Sequence, residues 1–122
     1  MATASRRTVL VVEDEMLIRI LATDSLEESG FNVLEAADAA EALRILDEHD
    51  VDVLFTDINM PGPMDGVALA ELMHDRRPDL GLIITSGCGE PEPADLPTTS
   101  LYLAKPYLPR QLAAAVERQT LH

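Results

Sequence analysis

Residues 51–57, Val-Asp-Val-Leu-Phe-Thr-Asp, form a short apolar run that ends on a carboxylate. Three other runs have the same form. Thr8-Val9-Leu10-Val11-Val12 ends in Glu13-Asp14, Leu80-Gly81-Leu82-Ile83-Ile84 ends in Thr85, and Leu101-Tyr102-Leu103-Ala104 ends in Lys105, the only lysine of the chain. Helical patterns separate these runs, an alternation that marks βαβ units and a parallel sheet. In an open sheet of this kind ligands bind at the carboxyl ends of the strands. There the runs would gather three carboxylates, a hydroxyl and one ammonium.

The pattern between the runs sets the elements. Residues 15–29 read as a helix with a core stripe of Ile18, Leu21, Ala22, Ser25 and Leu26. Gly30 suits the left-handed position that follows a helix end. Phe31 to Glu35 is a short second strand. Asp38 and Glu41 resemble a capping box opening a helix that runs to His49. After Asp57 comes a turn-rich loop, residues 59–66, then a helix from Val67 to about Arg77 stopped by Pro78. Residues 86–100 hold Gly87, Gly89, Pro91, Pro93 and Pro97, so a helix there would be short or frayed. The last helix starts near Pro109, a favoured first-turn residue, and runs to about Gln119.

The first, third and fourth strands are nearly all apolar and are expected at the centre, with the second and fifth at the edges. Right-handed crossovers then favour the order 2-1-3-4-5. The expected fold is α/β: a doubly wound five-stranded parallel sheet, flavodoxin-like, with helices on both faces. Its switch point falls between strands one and three, beside Glu13, Asp14 and Asp57. At 122 residues the chain is expected to be one domain, with its core over about 8–119. Aromatics make up only 3% of it, so the core must be built from Leu, Ile, Val and Ala.

Composition narrows the function. A net charge of -13 argues against nucleic acid, which needs clustered Lys and Arg. No apolar stretch is long enough for a bilayer. The start lacks a secretory segment, and one cysteine, Cys88, allows no internal disulfide; both point to the cytoplasm.

Three acids at one strand edge repel one another, and each disfavours ionisation of the others. Lys105 supplies one positive charge, and a hard divalent cation would supply more. Magnesium suits such a site, since it accepts one or two carboxylates plus a phosphate and keeps several waters. No His or Cys stands near the acids in sequence, which argues against zinc or copper. An arriving phosphoryl group would meet the metal, Lys105 and the Thr85 hydroxyl, and one carboxylate could act as nucleophile, forming an acyl phosphate.

Five segments in register resemble the receiver domains of two-component response regulators: Val-Val-Glu-Asp-Glu at 11–15, Thr-Asp-Ile-Asn-Met-Pro at 56–61, Met-Asp-Gly at 64–66, Ile-Ile-Thr-Ser at 83–86 and Lys-Pro-Tyr at 105–107. The resemblance implies that Asp57 accepts a phosphoryl group from a phosphohistidine on a sensor histidine kinase or a histidine phosphotransfer protein. It implies magnesium held by Asp14, Asp57 and the backbone carbonyl of Asn59, with Glu13 helping through water. Lys105 would pair with the phosphoryl group, Thr85 would move to hydrogen-bond it, and Tyr102 would be an aromatic rotamer switch. The Lys105-Pro106 bond would be cis. Met16 and Ile20, outside the core stripe, would dock the phosphodonor, and a downstream protein would read the phosphorylated state.

The domain is expected to be free-standing, a monomer or weak dimer, that hydrolyses its own acyl phosphate and acts as a switch, shuttle or sink for phosphate. Two alternatives stay open: an interaction module with this fold that is never phosphorylated, and a receiver cut from a longer regulator. A third, a small phosphatase with an aspartyl nucleophile, would carry a second Asp where Asn59 stands. Taken singly, Asp14 could be a helix cap, and Asp65 reads as one. Glu13 in place of Asp, Pro63 lengthening a loop and Tyr107 in place of Phe depart from the family pattern.

Overall fold

The computed structural model describes residues 6–87, 96–97 and 99–120. Nine elements follow one another: β1 (Thr8–Val12), α1 (Met16–Glu28), β2 (Asn32–Ala36), α2 (Ala39–Glu48), β3 (Val53–Asp57), α3 (Gly66–Arg76), β4 (Gly81–Ser86), β5 (Leu101–Ala104) and α4 (Pro109–Gln119). All neighbouring strands pair in parallel, in the order β2-β1-β3-β4-β5, as the apolar pattern implied. Cys88 and most of the proline-rich stretch lie outside the described residues, as does His122. No helix among the described residues is long and apolar enough to cross a membrane.

The sheet sorts its side chains by the twofold period of a strand. Leu10, Val12, Leu54, Leu82 and Ile84 pack on one face with Ala39, Ala42 and Leu46 of α2 and Leu69, Ala70 and Met73 of α3. Val9, Val11, Val53, Phe55 and Ile83 pack on the other with Ala22 and Leu26 of α1 and Leu112, Ala115 and Val116 of α4. The largest fully buried side chains are all Leu, Ile or Val, the core expected of so few aromatics. Each contributes about 1.5–3 kcal/mol by leaving water.

Local chemistry closes the helices. The Gly30 amide bonds the Glu27 carbonyl at 3.0 Å and the Phe31 amide bonds Leu26 at 3.1 Å, with Gly30 at φ 98°. This is the paired-bond helix end that glycine permits, and Phe31 buries its ring in the same cluster as Leu26. At α2 the Asp38 carboxylate accepts from the Glu41 amide at 2.8 Å, while Glu41 reaches back one residue further than a standard box, to the Ala37 amide. Pro109 opens α4, and the Gln111 side chain accepts from the Leu108 amide at 2.7 Å.

The stripe expected on α1 needs correction. Leu21 is 61% exposed, and the helix rests on the sheet through Ala22, Thr23 and Leu26. The helix is rolled because half-buried Arg19 faces β2, where it is paired with Glu35. Residues 19, 22, 23 and 26 form a spaced stripe of their own. Boundaries also move: β2 starts one residue late, and β3 starts at Val53 rather than Val51.

Candidate functional site

The register of the sheet builds the site. Val12 lies opposite Thr56, Asp57 opposite Thr85, and Ser86 opposite Ala104. Main-chain bonds extend the sheet just past the strand ends: Glu13 amide to Ala36 (3.0 Å), Ile58 amide to Thr85 (2.9 Å) and Lys105 amide to Ser86 (3.0 Å). The residues that bear the candidate chemistry are therefore mounted on the sheet itself. They meet at its carboxyl edge, beside the point where the chain order reverses between β1 and β3.

Lys105 crosses to the acids. Its Nζ donates to Asp57 Oδ2 at 2.6 Å and to Glu13 Oε1 at 2.8 Å. The remaining carboxylate oxygens take main-chain donors, Glu13 Oε2 from the Glu15 amide (3.2 Å) and Asp57 Oδ1 from the Asn59 amide (3.1 Å). Glu13 and Asp57 are buried, whereas Asp14 is exposed. Burial pushes the Glu13 carboxyl above its usual range, against the opposing pull of its bond to Lys105. Burial works against the Lys105 ammonium too, but the bonds to Asp57 and Glu13 outweigh it and raise its pKa.

Glu13, Asp14 and Asp57 each offer a carboxylate oxygen, all within 4.8 Å of one another. This donor set is oxygen only, without His or Cys, and it carries more negative charge than one ammonium offsets. It fits a hard cation of the magnesium type. Asp14 is not the cap of α1: Glu15 holds that position, with no side-chain cap bond. Asp65 caps α3, accepting from the Ala68 amide at 2.9 Å.

Thr85 stands across from Asp57 on β4. It is buried, and its hydroxyl has no hydrogen-bond partner among the described residues. An unpaired buried hydroxyl costs free energy unless something completes it.

The sequence matches the response regulator receiver domain over residues 9–117. The chain belongs to this family. The receiver is 38% identical over 115 residues to sensor kinase CckA of Brucella abortus, covering 90% of this chain and 12% of that one. To the aerobic respiration control protein ArcA of Escherichia coli K12 it is 33% identical, covering 85% of this chain and 44% of that one. The chain thus spans less than half the length of these two relatives. The crystal structure of a response regulator receiver domain protein from Clostridium thermocellum superposes with a TM-score of 0.85 at 30% identity, covering 93% of this chain and 94% of that one. Receivers of two-component systems interact with histidine kinases, and they generally bind magnesium through acidic residues.

The rest of the receiver surrounds this edge. Tyr102 is half-buried on β5, and its hydroxyl pairs with the buried Ser86 hydroxyl. The Lys105-Pro106 bond is cis. Tyr107 packs edge-on against Phe55 at 5.7 Å between ring centres, and burial pushes its phenol up to about 12. Met16 and Ile20 are exposed, and so are Leu17 and Leu21, so that the outer face of α1 is a continuous apolar strip.

Two residues that back the site from outside it take roles the sequence does not show. Gly66 looks like loop, yet its amide bonds the Ile58 carbonyl at 2.9 Å and its Cα lies against the Asp57 main chain. Arg19 looks like surface, yet its Nη1 donates to the Glu13 carbonyl at 2.8 Å. The available signal for Arg19 was a lone basic residue in the apolar second turn of α1.

Proposed function

We propose that this receiver takes a phosphoryl group onto Asp57 from a phosphohistidine of a sensor histidine kinase or histidine phosphotransfer protein. The observation that carries this reading is one buried carboxylate, Asp57, bonded to the Lys105 ammonium and paired in register with Thr85, whose buried hydroxyl has no partner among the described residues. A phosphoryl oxygen would complete Thr85, and Lys105 would shift from the carboxylate to a second phosphoryl oxygen. An Asp57 oxygen attacks phosphorus, a new O–P bond forms, and the P–N bond to the donor imidazole breaks. The imidazole keeps the electron pair and takes a proton. Water later attacks the acyl phosphate, restoring the carboxylate and releasing inorganic phosphate.

Magnesium, when bound, offsets the charge on the transferring group. Asp14, Asp57 and the Asn59 carbonyl would hold it, with Glu13 assisting through water. Binding, orientation and charge placement are what phosphoryl transfer chiefly requires. Thr85 and Tyr102 would carry the change to a downstream protein, acting in the cytoplasm as a switch, or the domain would serve as a shuttle or sink for phosphate.

Acetyl phosphate with magnesium should add the mass of one phosphoryl group to the intact protein. Asp57→Asn, or a chelator, should abolish the gain. A wild-type chain that stays unmodified would favour the interaction-module reading instead.

The apolar strip of α1 supports docking of the donor's helices. Ile18, Leu21, Pro106, Tyr107 and Pro109 line a groove that continues from it to Lys105. Met16→Glu with Ile20→Glu should slow transfer from the kinase by roughly tenfold or more, the loss of one anchor contact. Phosphorylation by acetyl phosphate should be unchanged, and an equal loss with both donors would refute docking at this face.

A further inference from the structure

The loop that leaves β1 carries two of the three clustered acids, and they are held unequally. Every polar group of Glu13 is engaged: its amide by Ala36, its carboxylate by Lys105 and the Glu15 amide, its carbonyl by Arg19. Among the described residues no hydrogen bond holds the carboxylate of Asp14. Its position follows from the peptide that joins it to Glu13, and the Glu13 carbonyl is one end of that peptide.

Arg19 grips that carbonyl from the second turn of α1. Its Nη1 donates to Glu13 O at 2.8 Å and its Nε to Glu35 Oε1 at 3.2 Å. The side chain is only 18% exposed. Glu35 lies on β2 beside Ala36, whose carbonyl takes the Glu13 amide. The Glu13 main chain is therefore clamped from β2 on one side and from α1 on the other, and the guanidinium ties the two clamps together. A planar fork with several donors can span both acceptors, while a lysine ammonium on a flexible stem holds them less rigidly.

We propose that Arg19 is a positioning residue for the cation site: by fixing the Glu13 carbonyl it sets the plane of the Glu13-Asp14 peptide, and so where the Asp14 carboxylate stands relative to Glu13 and Asp57. The proposal rests on the reading of that cluster as a magnesium site. Its effect is geometric, because Glu35 already balances the charge of Arg19. Groups that orient metal ligands from behind change metal affinity by 10–100-fold when removed.

The test is a magnesium titration by calorimetry of the wild-type chain, Arg19→Leu, Arg19→Lys and Glu35→Gln. It is paired with the magnesium dependence of phosphorylation by acetyl phosphate, followed by intact mass. In Arg19→Leu the magnesium dissociation constant should rise about tenfold. The rate at saturating magnesium should stay within about twofold of wild type, the split expected when only binding is lost. Arg19→Lys should fall between the two. Glu35→Gln keeps an acceptor for Nε and should bind magnesium nearly as wild type does. Melting in chelator reports whether each variant is folded; if Arg19→Leu is not, Arg19→Lys decides by the same criteria. Arg19 variants with unchanged magnesium affinity would overturn the proposal and leave the site reading intact. A wild-type chain that binds no magnesium would overturn both.

Discussion

Lys105→Met will destabilise the protein by about 3–5 kcal/mol at neutral pH, the cost of removing one partner from a buried ion pair. Methionine fills much of the volume of the lysine stem, so the loss is chiefly one of charge. Glu13 and Asp57 have side chains only 5% and 6% exposed, and Lys105 is the cation both of them touch. Without it two buried carboxylates face each other. Burial already holds Glu13 above its usual range, and losing the ammonium raises it further.

The sign of the pH dependence follows. A carboxyl with a raised folded pKa binds its proton more tightly in the folded state. Its stabilising contribution is complete below the ordinary value and is lost as pH rises through the raised one. The deficit of Lys105→Met should therefore shrink on acidification from pH 7 toward pH 5. The raised Lys105 pKa of the wild type lies far above this window, so lysine titration adds no slope there. Magnesium at a hundredfold excess over its dissociation constant should return about 2.7 kcal/mol. Phosphorylation should slow by about 10²-fold or more with the transition-state charge unopposed. Urea midpoints at the two pH values, with and without magnesium, check the first claims. An unchanged midpoint at neutral pH would refute them.

Gly66→Ala is the second large effect, and its sign runs against helix propensity. Alanine in a helix is favoured over glycine by about 1 kcal/mol. Here a Cβ would lie 1.9 Å from the Asp57 main-chain oxygen, 2.7 Å from its carbon and 2.9 Å from Ile58 Cα. These are backbone atoms and cannot swing aside. Either α3 moves off the end of β3 or Asp57 moves out of the site. Overpacking of this kind costs about 3 kcal/mol, more than propensity returns. A shift near 1 Å at Asp57 would slow phosphorylation by roughly 10²-fold. Unfolding midpoints and the rate with acetyl phosphate should both fall, and a variant as stable and active as wild type would contradict the clash.

Much of the architecture was legible. Near-continuous apolar runs at 8–12, 51–57 and 80–85 marked strands buried on both faces, and that alone placed them centrally. Pro109 and Gly30 marked helix ends by their backbone chemistry. What could not be read came from contacts through space. The roll of α1 depends on Arg19 meeting a carbonyl and Glu35 of another strand, so periodicity alone puts Leu21 in the core, whereas it is exposed. The need for glycine at position 66 depends on how closely α3 approaches Asp57. Spacing alone does not show that Glu13 is buried, with Lys105 reaching back across the sheet to its carboxylate.

The pairing of Asp57 with Thr85 across β3 and β4 has a practical consequence. The spacing between acid and hydroxyl is that of two hydrogen-bonded strands, a dimension no surface loop can stretch. On the function proposed above, swapping the residues on the outside of α1 would change which donor the domain answers to, while the geometry of acid and hydroxyl, fixed by the sheet, would stay as it is.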